Sequence, residues 1–179
     1  IGLVGLTAWG QEGPARQPAK EVLKPYTFEF RDTPWDKVLD WLADNSGGLP
    51  IVGGIKPQGT FNFVNSGGKK HTLPQIIDIL NRSLIKDKIL IIRGSNNFTV
   101  ISSDDALTID TTILPNITVE DLEIDKAPDQ QKFGASELAQ ITFNLNGLTV
   151  DEAELNLTSR KGPFGRFQKI PKGNMLLAT

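Results

Sequence analysis

Tyr26-Thr-Phe-Glu-Phe-Arg-Asp-Thr-Pro-Trp-Asp-Lys-Val-Leu-Asp-Trp-Leu-Ala-Asp-Asn-Ser-Gly-Gly48 is the stretch on which the fold turns. Phe28 and Phe30 alternate with Thr27, Glu29 and Arg31, the period of a strand with one buried face. Thr33, Pro34 and Asp36 then predict a helix start, with Thr33 as cap, Pro34 at the first helical position and Asp36 closing a Thr-x-x-Asp box. Trp35, Val38, Leu39 and Leu42 fall at i, i+3, i+4 and i+7 and so share one helix face. Asn45 to Gly48 close the helix, because glycine tolerates the left-handed conformation of a helix end. Trp35 belongs to the core face; Trp41 lies off it, and its spacing fits partner contact and domain packing equally.

Outward from this unit, the sequence repeats the theme. Leu49–Val52 predicts a short strand, and Thr60–Val64 another in which Phe61 and Phe63 alternate with polar neighbours. Thr72-Leu-Pro-Gln75 is a second capping box ahead of the stripe Leu73, Ile76, Ile77, Leu80, Leu84. Ile89–Ile92, a turn at Gly94–Asn97, and Phe98–Ile101 predict a hairpin. Residues 25–103 thus read as strand, helix, strand, strand, helix, strand, strand. Residues 104–136, with Glu120, Asp121, Glu123 and Asp125, read as an acidic linker with a local strand near Leu107–Ile113. Order returns from residue 137. Ile141, Phe143 and Leu145 alternate, Thr149-Val-Asp-Glu152 opens a helix carrying Val150, Ala153 and Leu157, and Gly162-Pro163 stops it. Phe167–Ile170 and Met175–Ala178 predict a hairpin about Pro171–Asn174, and the pattern stops at Thr179 without a second helix, as expected of a domain cut short. The fold class is α+β, in two small mixed modules.

The bounds are set by composition. Nineteen Lys and Arg against 21 Asp and Glu give a formal net charge of -2, so no general attraction to nucleic acid or anionic lipid is expected. The absence of cysteine excludes a disulfide scaffold and thiolate chemistry. Ile1–Ala8 is apolar, and Ala8-Trp9-Gly10 places small residues where a signal peptidase reads, so residues 1–10 are expected to be the remnant of an export signal and residues 11–24 a linker.

Residues with chemistry are few. His71 is the single histidine and lacks an orienting partner, so it reads as a loop residue ahead of a helix. Gly67-Gly-Lys-Lys-His-Thr72 lacks the spacing of a phosphate-binding loop, the acids at 120–125 lack the glycine turn of an EF-hand, and no Gly-x-Ser-x-Gly turn occurs. The Asn-x-Ser/Thr sequons at Asn81, Asn97, Asn116 and Asn156 are read as chance. No catalytic, cofactor-binding or metal-binding residue is assigned, and a non-enzymatic role is expected. What small sheets offer is edges, whose unpaired N–H and C=O groups invite a neighbouring strand or subunit.

Phe28 to Ala43, Gly59-Thr-Phe-Asn-Phe63 and Leu73 to Leu84 together resemble the short N-terminal domain shared by secretins and some TonB-dependent receptors. Ile141 to Thr179, ending Asn174-Met-Leu-Leu-Ala-Thr179, is similar to the start of the KH-like periplasmic domain that follows it in secretins. The resemblance implies a periplasmic part of an outer-membrane channel subunit, made with an export signal and assembled as a ring of like copies. It further implies contact with inner-membrane secretion or pilus machinery, as in type II secretion, and with a secreted protein, but not with nucleic acid or a cofactor. Thr27, Glu29 and Arg31, pointing away from the Phe28 and Phe30 face, are the candidate interface residues. Two rivals stand beside this reading: a signalling module of a TonB-dependent receptor that binds a regulatory protein, and part of another cell-envelope protein.

Overall fold

The computed structural model describes residues 23–102, 111–160, 164–170 and 172–179. The expected signal remnant at 1–10, most of the linker at 11–24 and the helix stop at Gly162-Pro163 lie outside the described residues. The first module runs β1 (Pro25–Thr27), β2 (Phe30–Pro34), α1 (Trp35–Asn45), β3 (Ile51–Val52), β4 (Thr60–Phe63), β5 (Lys70–Thr72), α2 (Leu73–Leu84), β6 (Ile89–Arg93) and β7 (Phe98–Ser102). The second runs β8 (Asn116–Ile117), β9 (Gln140–Asn144), α3 (Val150–Thr158), β10 (Phe167–Ile170) and β11 (Met175–Ala178). The α+β class holds, and the three helices and both hairpins stand close to where the periodicity puts them.

The opening strand departs from the sequence reading. It is two strands: β1 pairs antiparallel with β5, and β2 with β4, with Phe28 and Glu29 between them. β2 also carries a bulge, since Phe30 faces Phe63 and Thr33 faces Phe61, so that Arg31 and Asp32 together oppose Asn62. Asp32 adopts φ +45 there, held by its N–H to Asn62 Oδ1 at 2.9 Å and by Asn62 Nδ2 to its carboxylate at 2.6 Å. α1 begins one residue later than expected. Pro34 is still extended at φ -55, ψ 142, and the Thr33 hydroxyl donates to Arg31 O instead of capping the helix. His71, read as a loop residue, lies in β5 opposite Tyr26. The local strand expected near Leu107–Ile113 lies partly outside the described residues, and Thr111–Ile113 is a 3₁₀ turn.

The first core is built by both helices. Trp35, Val38 and Leu42 of α1 and Ile76, Ile77, Leu80 and Leu84 of α2 bury against Phe28, Phe61, Ile91 and Phe98. Phe28 is the hub of its aromatic part, with Phe30, Trp41 and Phe63 at 5.1, 5.2 and 5.4 Å between centroids. Trp41 packs edge-on to Tyr26, Phe28 and Phe30, so domain packing accounts for it. α2 carries its capping box, in which Gln75 Oε1 accepts from Thr72 N–H at 3.0 Å.

β6 is buried from Ile89 through Ile92 because its two faces meet different partners. Ile89 and Ile91 join the first core, whereas Leu90 and Ile92 pack with Leu114 and Phe164 from the far part of the chain. The sheet β3-β7-β6 pairs β3 parallel and β6 antiparallel to β7. The second sheet runs β10-β11-β9-β8, with β8 parallel to β9 and the others antiparallel. α3 lies on β10 and β11, its start fixed by the Thr149–Glu152 box: Glu152 N–H donates to Thr149 Oγ1 at 3.3 Å and Thr149 N–H to Glu152 Oε2 at 2.8 Å.

Candidate functional site

The three candidate interface residues are all exposed, and the structure joins two of them. Arg31 donates from Nε at 3.1 Å and from Nη2 at 2.9 Å to Glu29 Oε1, an ion pair in which Arg31 is 70% and Glu29 37% exposed. Thr27 lies apart in register terms, opposite Lys70 at the end of β1. Glu29 stands in the break between β1 and β2 and Arg31 in the bulge, and, two residues apart, their side chains meet on one side of the chain. An exposed pair of this kind contributes at most about 1 kcal/mol to folding, which leaves both groups available to a partner.

Open strand edges are the second element. Among the described residues β3 and β10 each end a sheet. Lys169 in β10 reaches Asp151 at 2.7 Å and Glu154 at 2.8 Å on α3, and those two bonds hold its ammonium above the ordinary lysine range. A lysine on an edge strand opposes indiscriminate pairing with other chains.

The edge of β6 is closed by a device that the sequence reading missed. Asn81, 1% exposed on the apolar side of α2, accepts from Ile91 N–H at 2.8 Å and donates to Ile91 O at 3.1 Å, so it replaces the missing neighbour strand. The same amide donates to Ser136 O at 3.2 Å. Asp78, one turn earlier, accepts from Ala135 N–H, Ser136 N–H and the Ser136 hydroxyl at 3.0, 2.7 and 2.6 Å. Arg93, at the end of β6, donates to both Glu137 oxygens at 2.8 and 3.1 Å, and to Lys132 O at 2.6 Å, with Phe133 stacked 5.1 Å from its guanidinium. Gly134 passes so close to α2 that a Cβ there would stand 2.5 Å from the Asp78 carboxylate and 2.7 Å from Pro74 O. Residues 132–138, which span the expected linker end at 136 and the start of the second module, therefore form a joint bonded to the first module. One signal was present: Asn81 is a polar residue four after Ile77 and three before Leu84, on their helix face. Its burial and bonds leave its sequon unavailable in the folded chain.

Burial perturbs two groups. Desolvation outweighs Arg93 and pushes the Glu137 carboxyl up to about 7. His71 is held below the ordinary histidine range, first by burial and then by Lys69, and its Nε2 is buried without a bonding partner edge-on to Phe63. Among the described residues no three His, Asp or Glu side chains stand together as metal ligands, and no described helix is long and apolar enough to cross a membrane.

No family model matches the chain, and no curated protein matches its sequence. A chain of the Klebsiella pneumoniae type II secretion system outer membrane complex, which holds PulD, PulS and the PulC HR domain, overlays with a TM-score of 0.53 at 14% identity, over 84% of this chain and 23% of that one. What the two share is the fold. Looser matches are the N-terminal domain of the secretin XcpQ from Pseudomonas aeruginosa (TM-score 0.37, 10% identity, 87% of this chain and 57% of that one) and the GspC–GspD complex of enterotoxigenic Escherichia coli (0.37, 12%, 87% and 88%). The chain thus spans little more than half of the XcpQ domain structure and under a quarter of the Klebsiella chain.

Proposed function

We propose that this chain is the periplasmic N-terminal region of a secretin-like outer-membrane channel subunit, working as a non-catalytic assembly and docking element. In this reading residues 25–103 are a short N-terminal docking domain and residues 137–179 the start of a KH-like wall domain. The observation that supports it is the extent of the fold likeness to the Klebsiella complex: 84% of the chain is far more than residues 25–103 supply, so the likeness takes in both modules. That extent favours a secretin over a receptor that carries the first module alone. Copies of the chain would meet in a ring, where head-to-tail packing brings an edge of one copy against a different face of the next. Thr27, Glu29 and Arg31 and the edge of β10 are the surfaces offered to that contact or to an inner-membrane protein of the secretion machinery, and the substrate would be a secreted protein passing the ring.

Electron microscopy of the purified full-length protein tests this reading. Ring-shaped multimers are the expected outcome; monomeric particles under conditions that preserve the fold would end it.

A further inference from the structure

α1 turns a second, outward face toward the segment that follows β3. Leu39 and Ala43 on the helix, with Ile51 and Ile55 across from them and the buried Trp35 at its base, enclose a cleft of about 620 Å³. Asp36 and Asp40 line the helix wall and Lys56 the opposite one, so the two walls carry opposite charge. β3 ends its sheet here. Pro50 O accepts from Phe98 N–H at 2.9 Å, and in a parallel ladder the next residue turns the other way, so the N–H and C=O of Ile51 face the open edge.

We propose that this cleft takes an extended segment of a partner protein with alternating apolar and basic side chains, added to the β3 edge at Ile51, with its basic groups on Asp36 and Asp40. The charge of α1 selects that chemistry. Asp36, Asp40 and Asp44 follow one another at i, i+4 and i+8, a row of carboxylates along one edge of the helix. Asp40 has Lys37 at 3.5 Å, with both side chains about two-thirds exposed, a contact that a partner's cation displaces readily. Asp44 stands in the last turn, where the helix presents its negative end and no basic residue offsets it. At Asp44 helix stability alone disfavours a carboxylate, whereas a cationic strand beside the row is favoured. The opposite wall sets orientation: Lys56 repels basic side chains, so they turn to α1 and leave the apolar ones for Ile55. This mode is strand addition, in which main-chain bonds give affinity and alternate side chains give selectivity. It stands on the cleft, whether or not the chain forms rings.

The test uses a short fluorescent peptide of alternating valine and lysine, its valine–glutamate counterpart, and the chain of 179 residues. Binding by anisotropy that weakens with salt, amide shifts centred on Ile51 and Val52, and no binding of the glutamate peptide are expected. The double change Asp36→Asn and Asp40→Asn, which keeps side-chain shape, should weaken binding roughly three- to tenfold. Ala43→Lys, which fills the cleft with bulk and positive charge, should abolish it. Shifts centred on β10 or Leu155, affinity indifferent to the aspartate changes, or no binding up to millimolar peptide would each overturn the assignment.

Discussion

The two modules are alike in their elements and unequal in their cores. Among the described residues the first buries thirteen hydrophobic side chains in one cluster, from Phe28 to Val100, and the second buries Val150, Ala153 and Leu176. The second module gains further burial where Leu114 and Phe164 meet Leu90 and Ile92 on the outer face of β6. The first module thus has the larger core of its own, and the second draws a larger share of its burial from the seam between them.

The largest effect should come from attacking the hub of the stronger core. Phe28→Ala should lower stability by about 3–5 kcal/mol and bring both modules down together. Leu176→Ala, at roughly 2–5 kcal/mol, should collapse the amide dispersion of residues 140–178 and spare the first module. Tryptophan fluorescence in urea separates the cases, because Trp35 and Trp41 both lie in the first core. If Leu176→Ala also moved the tryptophan transition by the same amount, the modules would form one cooperative unit and the asymmetry would be wrong.

The joint should respond to pH. With its folded value raised from 4.5 to about 7, Glu137 binds a proton more tightly in the folded than in the unfolded chain. Between those values the folded state holds the extra proton, so stability should fall as pH rises through this window, by roughly 2–4 kcal/mol, and level off above it. Urea midpoints across pH for the native chain and Glu137→Gln measure this; equal slopes in the two would remove Glu137 as the cause.

Smaller still, Asn81→Ala should cost about 1–3 kcal/mol, since Ile91 N–H and C=O would lose their side-chain partner in a buried place. Hydrogen exchange should show this as loss of protection at Ile91 and through 133–138, with α1 unaffected. Least of all, Glu29→Arg should change stability by under about 0.5 kcal/mol, because the ion pair it breaks is exposed. Any assembly built through that surface should weaken instead, as sedimentation of the full-length protein would show; a large fall in stability would make the pair structural.

Much of the fold was legible because its signals are local. The α2 and α3 boxes, the stripes of α1 and α2, and both hairpins are written within a few residues of where they act. The run Ile89-Leu-Ile-Ile92 even hints at burial on both faces, since an amphipathic strand would alternate. The candidate site was less legible. Thr27, Glu29 and Arg31 are exposed, and the spacing of two lets Glu29 meet Arg31, but the bulge in which Arg31 sits depends on Asn62, 30 residues away from Asp32. Nothing in the acidic run before Ser136 announces that the chain will dock on Asp78.

By itself, then, the sequence determined the three helices, both hairpins and the apolar side of each, because those properties arise from neighbours along the chain, whereas the short strands β5 and β8 went unread. Only the tertiary structure decided that the first strand divides between β5 and β4, that Asn81 closes the β6 edge, and that Arg93 holds Glu137. Those choices depend on which distant backbone groups and charges are left without water once the cores have formed, and that is settled by packing.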